Sequence, residues 1–225
     1  MLKNYITKFI ILAVLLSLTS CFEIIEEVNL NKDGSGDFVL TINLSQSKSK
    51  ITSIMLLDSI NGHKVPSREG VQQGMIEVLN YLKKSKGIYN VTKKEDYENY
   101  VFSVQCSFKN INSINNLTKE VLGKQKVKIQ SYNTYQYDVS NKKFTKEYTY
   151  DSQLLKQYNN LSIDNKKIFE NASYTGIYRF NEQIQSVSNT KAKVSKSKKA
   201  AMLRVNAIDL ISGHTKLNAK IQLAK

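Results

Sequence analysis

The sequence predicts an α+β domain: antiparallel sheets built from hairpins, with a few helices packed on one face, behind an N-terminal leader. Three observations carry this. Short runs of two-residue alternation recur along the chain, as in Phe38-Val39-Leu40-Thr41-Ile42 and from Tyr100 to Phe108. Turn residues such as Asn31-Lys32-Asp33-Gly34-Ser35-Gly36 join neighbouring runs, which favours hairpins over helical crossovers. One long stretch, 67–85, instead repeats Val71, Met75, Val78, Leu79 and Leu82 at helical spacing.

The first 21 residues stand apart. Lys3 and Lys8 flank the start of an uncharged run, Phe9 to Leu16, and small residues then lead to Cys21. A positive start, a short apolar middle and a small-residue exit make a secretory signal peptide. The run is too short to span a hydrocarbon core, which takes about 20 apolar residues. Leu18-Thr19-Ser20-Cys21 resembles the bacterial lipobox. In that motif the cysteine thiol takes a diacylglyceryl group as a thioether, small residues before it admit the signal peptidase, and an apolar residue fills the subsite three positions back. The resemblance implies cleavage between Ser20 and Cys21, lipidation of Cys21, and attachment to a membrane by fatty acyl chains such as palmitate. Each buried methylene adds about 0.8 kcal/mol of membrane affinity, so two or three chains hold where one would not. Phe22, rather than Asp, follows the cysteine, which points to the outer membrane over the inner one. An ordinary signal peptide, or an uncleaved anchor, with a chance cysteine is the plainer reading of the same residues. The division is then a leader over 1–20 and a single mature α+β domain over 21–225, with 21–122 and 123–225 as subdomains if it divides.

Within the mature chain, Phe22 to Leu30 reads as a strand with Phe22, Ile24, Val28 and Leu30 on one side. The Asp-Gly turn returns it as Phe38 to Leu44, a hairpin that starts at Cys21 itself. Ser45 or Ser47 can cap a helix reaching about Ile60, and Asn61 to Pro66 breaks it. The helix over 67–85 carries Lys83, Lys84 and Lys86 at its negative end, and Gly87 stops it. Ile88 to Thr92 and Tyr100 to Phe108 form a second hairpin, turning at Lys94-Glu95-Asp96, and Ile111 to Leu122 a short helix. Val127 to Tyr137 and Phe144 to Tyr150 form a third hairpin around Ser140-Asn141-Lys142. Helix is expected over 152–160 and 165–171, strand over 172–180, and extended chain at 184–187. Asn189 to Lys199 is a lysine-rich hairpin loop. Met202 to Leu210 and Leu217 to Leu223 alternate as closing strands, joined by Ser212-Gly213-His214.

The net charge is +14, nearly all of it lysine and scattered, apart from Lys83-Lys84-Ser85-Lys86 and Lys191 to Lys199. That favours solubility over a dedicated polyanion site; anionic lipid headgroups and acidic glycan are the polyanions such a chain could meet, and nucleic acid is not a partner. With Cys21 lipidated, Cys106 has no intramolecular disulfide partner, and its place on the apolar face of 100–108 makes it a core residue. His63 and His214 each stand alone in turns, so no metal is indicated. Asp33-Gly34-Ser35-Gly36 lacks the later ligands of a calcium loop and the Gly-Lys-Ser/Thr of a phosphate cradle. Glu23, Glu26 and Glu27, and Glu95, Asp96 and Glu98, are the acidic clusters; neither picks out a catalytic pair. No catalytic residue, metal ligand or cofactor is indicated, and any ligand is unknown.

Val28-Asn29-Leu30-Asn31-Lys32-Asp33-Gly34-Ser35-Gly36 directly after a lipobox, together with Tyr178-Arg179-Phe180-Asn181, Ile184 and Val187 to Ala192, resembles the LppM-type lipoprotein domain and related uncharacterised lipoproteins. The resemblance covers most of the mature chain. It implies an α+β fold and no enzymatic residues. Many such proteins continue into a C-terminal membrane helix, and no such apolar run precedes Lys225. The expectation is a lipid-anchored cell-envelope lipoprotein with a non-enzymatic binding or structural role, whose partner is another envelope protein or anionic lipid. The alternative is an envelope hydrolase or apolar-ligand carrier with a site assembled from distant residues.

Overall fold

The computed structural model describes residues 22–60, 63–115 and 132–224. In chain order the elements are β1 (Glu23–Leu30), β2 (Gly36–Asn43), α1 (Lys48–Ile54), the two-residue strands β3 (Ser59–Ile60) and β4 (His63–Lys64), α2 (Arg68–Lys84), β5 (Ile88–Asp96) and β6 (Val101–Phe108). There follow β7 (Tyr132–Asp138), β8 (Lys143–Thr149), α3 (Gln153–Asn159), α4 (Ile163–Lys166), β9 (Ser173–Phe180), β10 (Ile184–Val187), β11 (Lys193–Val194), β12 (Ala200–Asn206), α5 (Ala207–Ile211) and β13 (Ala219–Leu223). Short 3-10 segments cover Ile111–Ile114 and Lys167–Phe169.

The fold is α+β, as the alternation predicted. A seven-stranded sheet runs β11-β12-β9-β1-β2-β6-β5, and a four-stranded sheet runs β10-β13-β8-β7. All neighbours are antiparallel except β1 and β9, which pair in parallel with Glu23 beside Ser173 and Leu30 beside Phe180. β1 therefore sits at the centre of the larger sheet, hydrogen-bonded on both sides. Residues 24, 26, 28 and 30 of β1 face the smaller sheet. Phe108, Phe144, Tyr178, Ile221, Leu223 and Val28 fill the space between the sheets, all at most 2% exposed. Helix α2 closes one flank over β5, contributing Val78, Tyr81 and Leu82. Its start is fixed by Ser67, whose hydroxyl accepts from the Gly70 amide at 3.1 Å.

Several boundaries move for local reasons. The helix expected from 45 or 47 to 60 shortens to α1, because Ser59 and Ile60 pair with Lys64 and His63. β5 runs on to Asp96 and turns at 97–100 instead of 94–96; the Asp96 carboxylate accepts from the Asn99 amide and side chain, both at 2.8 Å, and stabilises the later turn. The strand expected from Met202 to Leu210 ends at Asn206, whose side chain accepts from the Ile208 amide at 2.8 Å and caps α5. The lysine-rich loop at 189–199 includes a strand, β11, paired with β12. In the helix expected over 111–122, residues 111–114 form a 3-10 turn. Residues 116–122, and 127–131 of the third hairpin, lie outside the described residues. The first turn needs its two glycines for different reasons. Gly34 adopts φ +85°, whereas at Gly36 a Cβ would stand 2.0 Å from the Asn29 carbonyl oxygen.

Candidate functional site

The lipidation and cleavage residues, Cys21 and Ser20, lie outside the described residues, one position short of Phe22. Phe22 itself is tied down: its carbonyl accepts from the Ser173 amide at 3.0 Å, and its ring meets Phe169 edge-on at 5.4 Å. Cys106 is 1% exposed, and burial pushes its thiol up to about 12, so it stays a neutral core thiol. His214 is exposed in the turn before β13, and His63 lies on β4. Among the described residues no three His, Cys, Asp or Glu side chains gather as a metal site. Asp33 accepts from the Ser35 amide at 3.0 Å and from its hydroxyl at 2.7 Å, closing the hairpin turn on itself.

The structure splits the first acidic cluster, because alternate residues of a strand face opposite ways. Glu27 points outward and pairs with Arg179 at 2.5 Å. Glu23 accepts from the Thr175 hydroxyl at 2.7 Å. Glu26 points inward and is 3% exposed. It meets Lys146 of β8, 0% exposed, at 3.0 Å across the gap between the sheets.

Around this ion pair stand Tyr174 and Tyr178 from β9 and Asn133 and Tyr135 from β7. Lys146 donates to Glu26, to the Tyr178 hydroxyl at 2.7 Å and to the Tyr174 hydroxyl, using all three ammonium protons. Glu26 accepts further bonds from Tyr178 at 3.2 Å, from the Asn133 amide at 2.9 Å, and from Tyr135. The ammonium also lies over the faces of Tyr174 and Tyr178 at 4.7 and 5.3 Å. Gly176 makes the room: it stands opposite Glu26, and a Cβ there would meet the Tyr178 hydroxyl at 2.3 Å.

Burial alone would push the Glu26 carboxyl up, but the Lys146 charge and the hydrogen bonds of Tyr135, Lys146 and Tyr174 outweigh it and hold it below its ordinary value. Burial draws the Lys146 ammonium below its usual range, against the opposing pull of Glu26. Burial and then the Glu26 charge keep Tyr135, Tyr174 and Tyr178 well above the normal phenol range. The cluster thus holds one carboxylate, one ammonium and neutral phenols. Lysine, glutamate and tyrosine side by side could serve proton transfer, but such chemistry requires a substrate within hydrogen-bond reach. Here the core members are sealed. Two surface hollows among the described residues lie elsewhere: one of about 190 Å³ against Val39, Thr41, Thr92 and Gln105, the other of about 440 Å³ against Gln183, Gln185 and Lys198. The cluster joins the two sheets and selects their register. Sequence reasoning missed it, although Glu26 and Lys146 both hold inward positions of their strands.

No protein-family model matches the chain, and no curated protein matches it. Among solved structures it is similar to the NMR structure of the folded domain of the Mycobacterium tuberculosis protein LppM. The alignment covers 90% of this chain and 88% of that one, at 9% identity and a TM-score of 0.41.

Proposed function

We propose that the protein is a lipid-anchored cell-envelope lipoprotein with a non-enzymatic binding or structural role, held by acyl chains on Cys21 after cleavage behind Ser20. The observation that carries this is the lipobox, Leu18-Thr19-Ser20-Cys21, set one residue before a chain already hydrogen-bonded into the domain at Phe22. Two further features support it. Among the described residues no helix is long and apolar enough to cross a membrane. Among the described residues the charged cluster is closed to substrate, and the two hollows at 39–105 and 183–224 are lined mainly by polar side chains, unlike an apolar-ligand pocket. Phe22 after the cysteine favours the outer membrane, and the partner is another envelope protein or the anionic lipid itself.

The test is acyl-chain labelling and high-salt fractionation of the parent and of Cys21→Ser. Serine cannot form the thioether, so the variant loses the label and its signal segment stays uncut behind Ser20. A parent protein that takes up no label refutes the lipoprotein reading.

A further inference from the structure

We propose that the end of the domain where the chain enters is a membrane-contact surface, with Leu56, Leu57 and Ile163 seated in the outer layer of the bilayer. This deepens the reading of Cys21 as the anchor and rests on it. The partner is a phospholipid bilayer.

The geometry starts from the register of the larger sheet. Glu23 lies beside Asn43 and Ser173, Asn43 beside Val101, and Ser173 beside Asn206, so these residues share one end of the sheet. Leu30, Gly36, Phe108 and Phe180 share the other. The first end carries the segments that follow β2 and precede β9. α1 is fastened there through Thr52, whose hydroxyl lies 3.2 Å from that of Tyr100 in the β5–β6 turn. The α3–α4 region is fastened there through Phe169, whose ring meets both Phe22 and Tyr158. α1 and the α3–α4 region are thus both fastened at this end of the sheet.

These segments carry the two most exposed large apolar side chains of the described residues. Leu56 is 84% exposed and Ile163 77%, the two highest values for large apolar side chains among the described residues, and Leu57 follows at 49%. Exposed Lys48, Lys50 and Lys156 stand on the same segments. Charge alone does not choose this end, because Lys32, Lys142, Lys143 and Lys198 enrich the opposite one. The chain outside the described residues does choose it. Cys21 is one residue from Phe22, a step of about 3.8 Å. A headgroup layer is roughly 5–8 Å thick on each side of the hydrocarbon. A tether this short cannot lift the domain clear of the headgroups, so whatever surrounds Phe22 is pressed against them. Isolated leucine and isoleucine side chains at that distance are removed from water by the bilayer, and lysines beside them meet lipid phosphates.

The experiment uses the full chain reconstituted into vesicles of phosphatidylcholine and phosphatidylglycerol in equal parts, with a quencher on the lipid acyl chains. An environment-sensitive dye is attached at Leu56→Cys, Ile163→Cys or Val139→Cys, and the parent serves as the blank. Val139 is exposed at the opposite end, beside Gly34. In high salt, which removes purely electrostatic adsorption, dye at Leu56→Cys and Ile163→Cys loses its emission to the quencher and dye at Val139→Cys keeps it. Acyl labelling of the same samples reports on Cys21 separately. Labelled Cys21 with no quenching at either position overturns the contact surface and leaves the anchor standing. Quenching at Leu56→Cys and Ile163→Cys without acyl label upholds the surface and refutes the anchor. Equal quenching at all three positions overturns the surface, since no end would then face the lipid.

Discussion

Replacing Lys146 by methionine removes the one buried cation among the described residues and leaves Glu26 with neutral donors only, Tyr135, Tyr178 and Asn133. Methionine keeps most of the side-chain volume, so the perturbation is one of charge. Breaking a fully buried ion pair from one side costs about 3–5 kcal/mol, because the remaining charge is neither solvated nor paired. For a chain of this length that is a fall in Tm of about 6–20 °C. The pH dependence is the sharper reading. In the parent, Glu26 has a folded-state pKa below its unfolded value, so its contribution is present above the ordinary carboxyl range and is lost as pH falls through the lowered value. The depressed Lys146 works the other way: its buried charge costs stability at all pH below its lowered value, and the cost shrinks toward the ordinary lysine range. In Lys146→Met, burial dominates at Glu26 and raises its pKa above the unfolded value. The folded state then holds a proton that the unfolded state releases, so stability falls as pH rises through that window. Thermal unfolding at about pH 5 and about pH 7.5 should therefore show the variant more stable on the acid side, a slope that Glu26 does not give the parent there because its titration lies below that window. Glu26→Leu with Lys146→Met should recover more than half of the loss, short of all of it because the phenol hydroxyls lose their partners. A single variant that loses less than about 1 kcal/mol, or gains no stability relative to the parent on going from about pH 7.5 to about pH 5, refutes the sealed ion pair.

The remaining predictions are simpler. Cys106→Ala should cost about 1 kcal/mol in denaturant unfolding and leave membrane attachment unchanged; rapid labelling of native Cys106 by a thiol dye contradicts its burial. Gly36→Ala should destabilise more than Gly34→Ala: the first drives a Cβ into the Asn29 carbonyl, while the second costs about 1–2 kcal/mol for a left-handed backbone. Equal losses in parallel melts show the turn to be looser than its geometry. Cys21→Ser should abolish acyl labelling, and dye at Leu56→Cys or Ile163→Cys should report the bilayer where dye at Val139→Cys does not.

What the sequence made legible was local. Alternation and turn chemistry located the first hairpin, and helical spacing over 67–85 located α2 to within a residue at each end. These features depend on neighbours a few positions apart. Side chains reaching back to the main chain moved the boundaries: Asp96 delayed one turn and Asn206 ended one strand early. The parallel pairing of β1 with β9 joins residues 150 positions apart, and no local pattern encodes it.

The interior cluster was half legible, and the reason is instructive about charges in strands. Ile24, Val28 and Leu30 were placed on one side of β1, and Glu26 falls at the same parity between them. Phe144, Lys146 and Tyr148 likewise share a parity on β8. A charged residue at an inward position is either a sign that the strand is misread or a sign that an opposite charge waits across the gap, because an isolated buried charge costs several kcal/mol. Two strands each carrying one such residue, of opposite sign, are candidates to face each other. Gly176 then becomes readable as well, since a residue without a side chain between Tyr174 and Tyr178 leaves the space such a pair needs. Hydrophobic packing alone tolerates a slip of register. A slip of one residue along β1 would turn Glu26 to solvent and leave Lys146 buried without its carboxylate, so the ion pair selects a single alignment of the two sheets. In that alignment β1 begins at the end of the sheet that carries the segments following β2 and preceding β9.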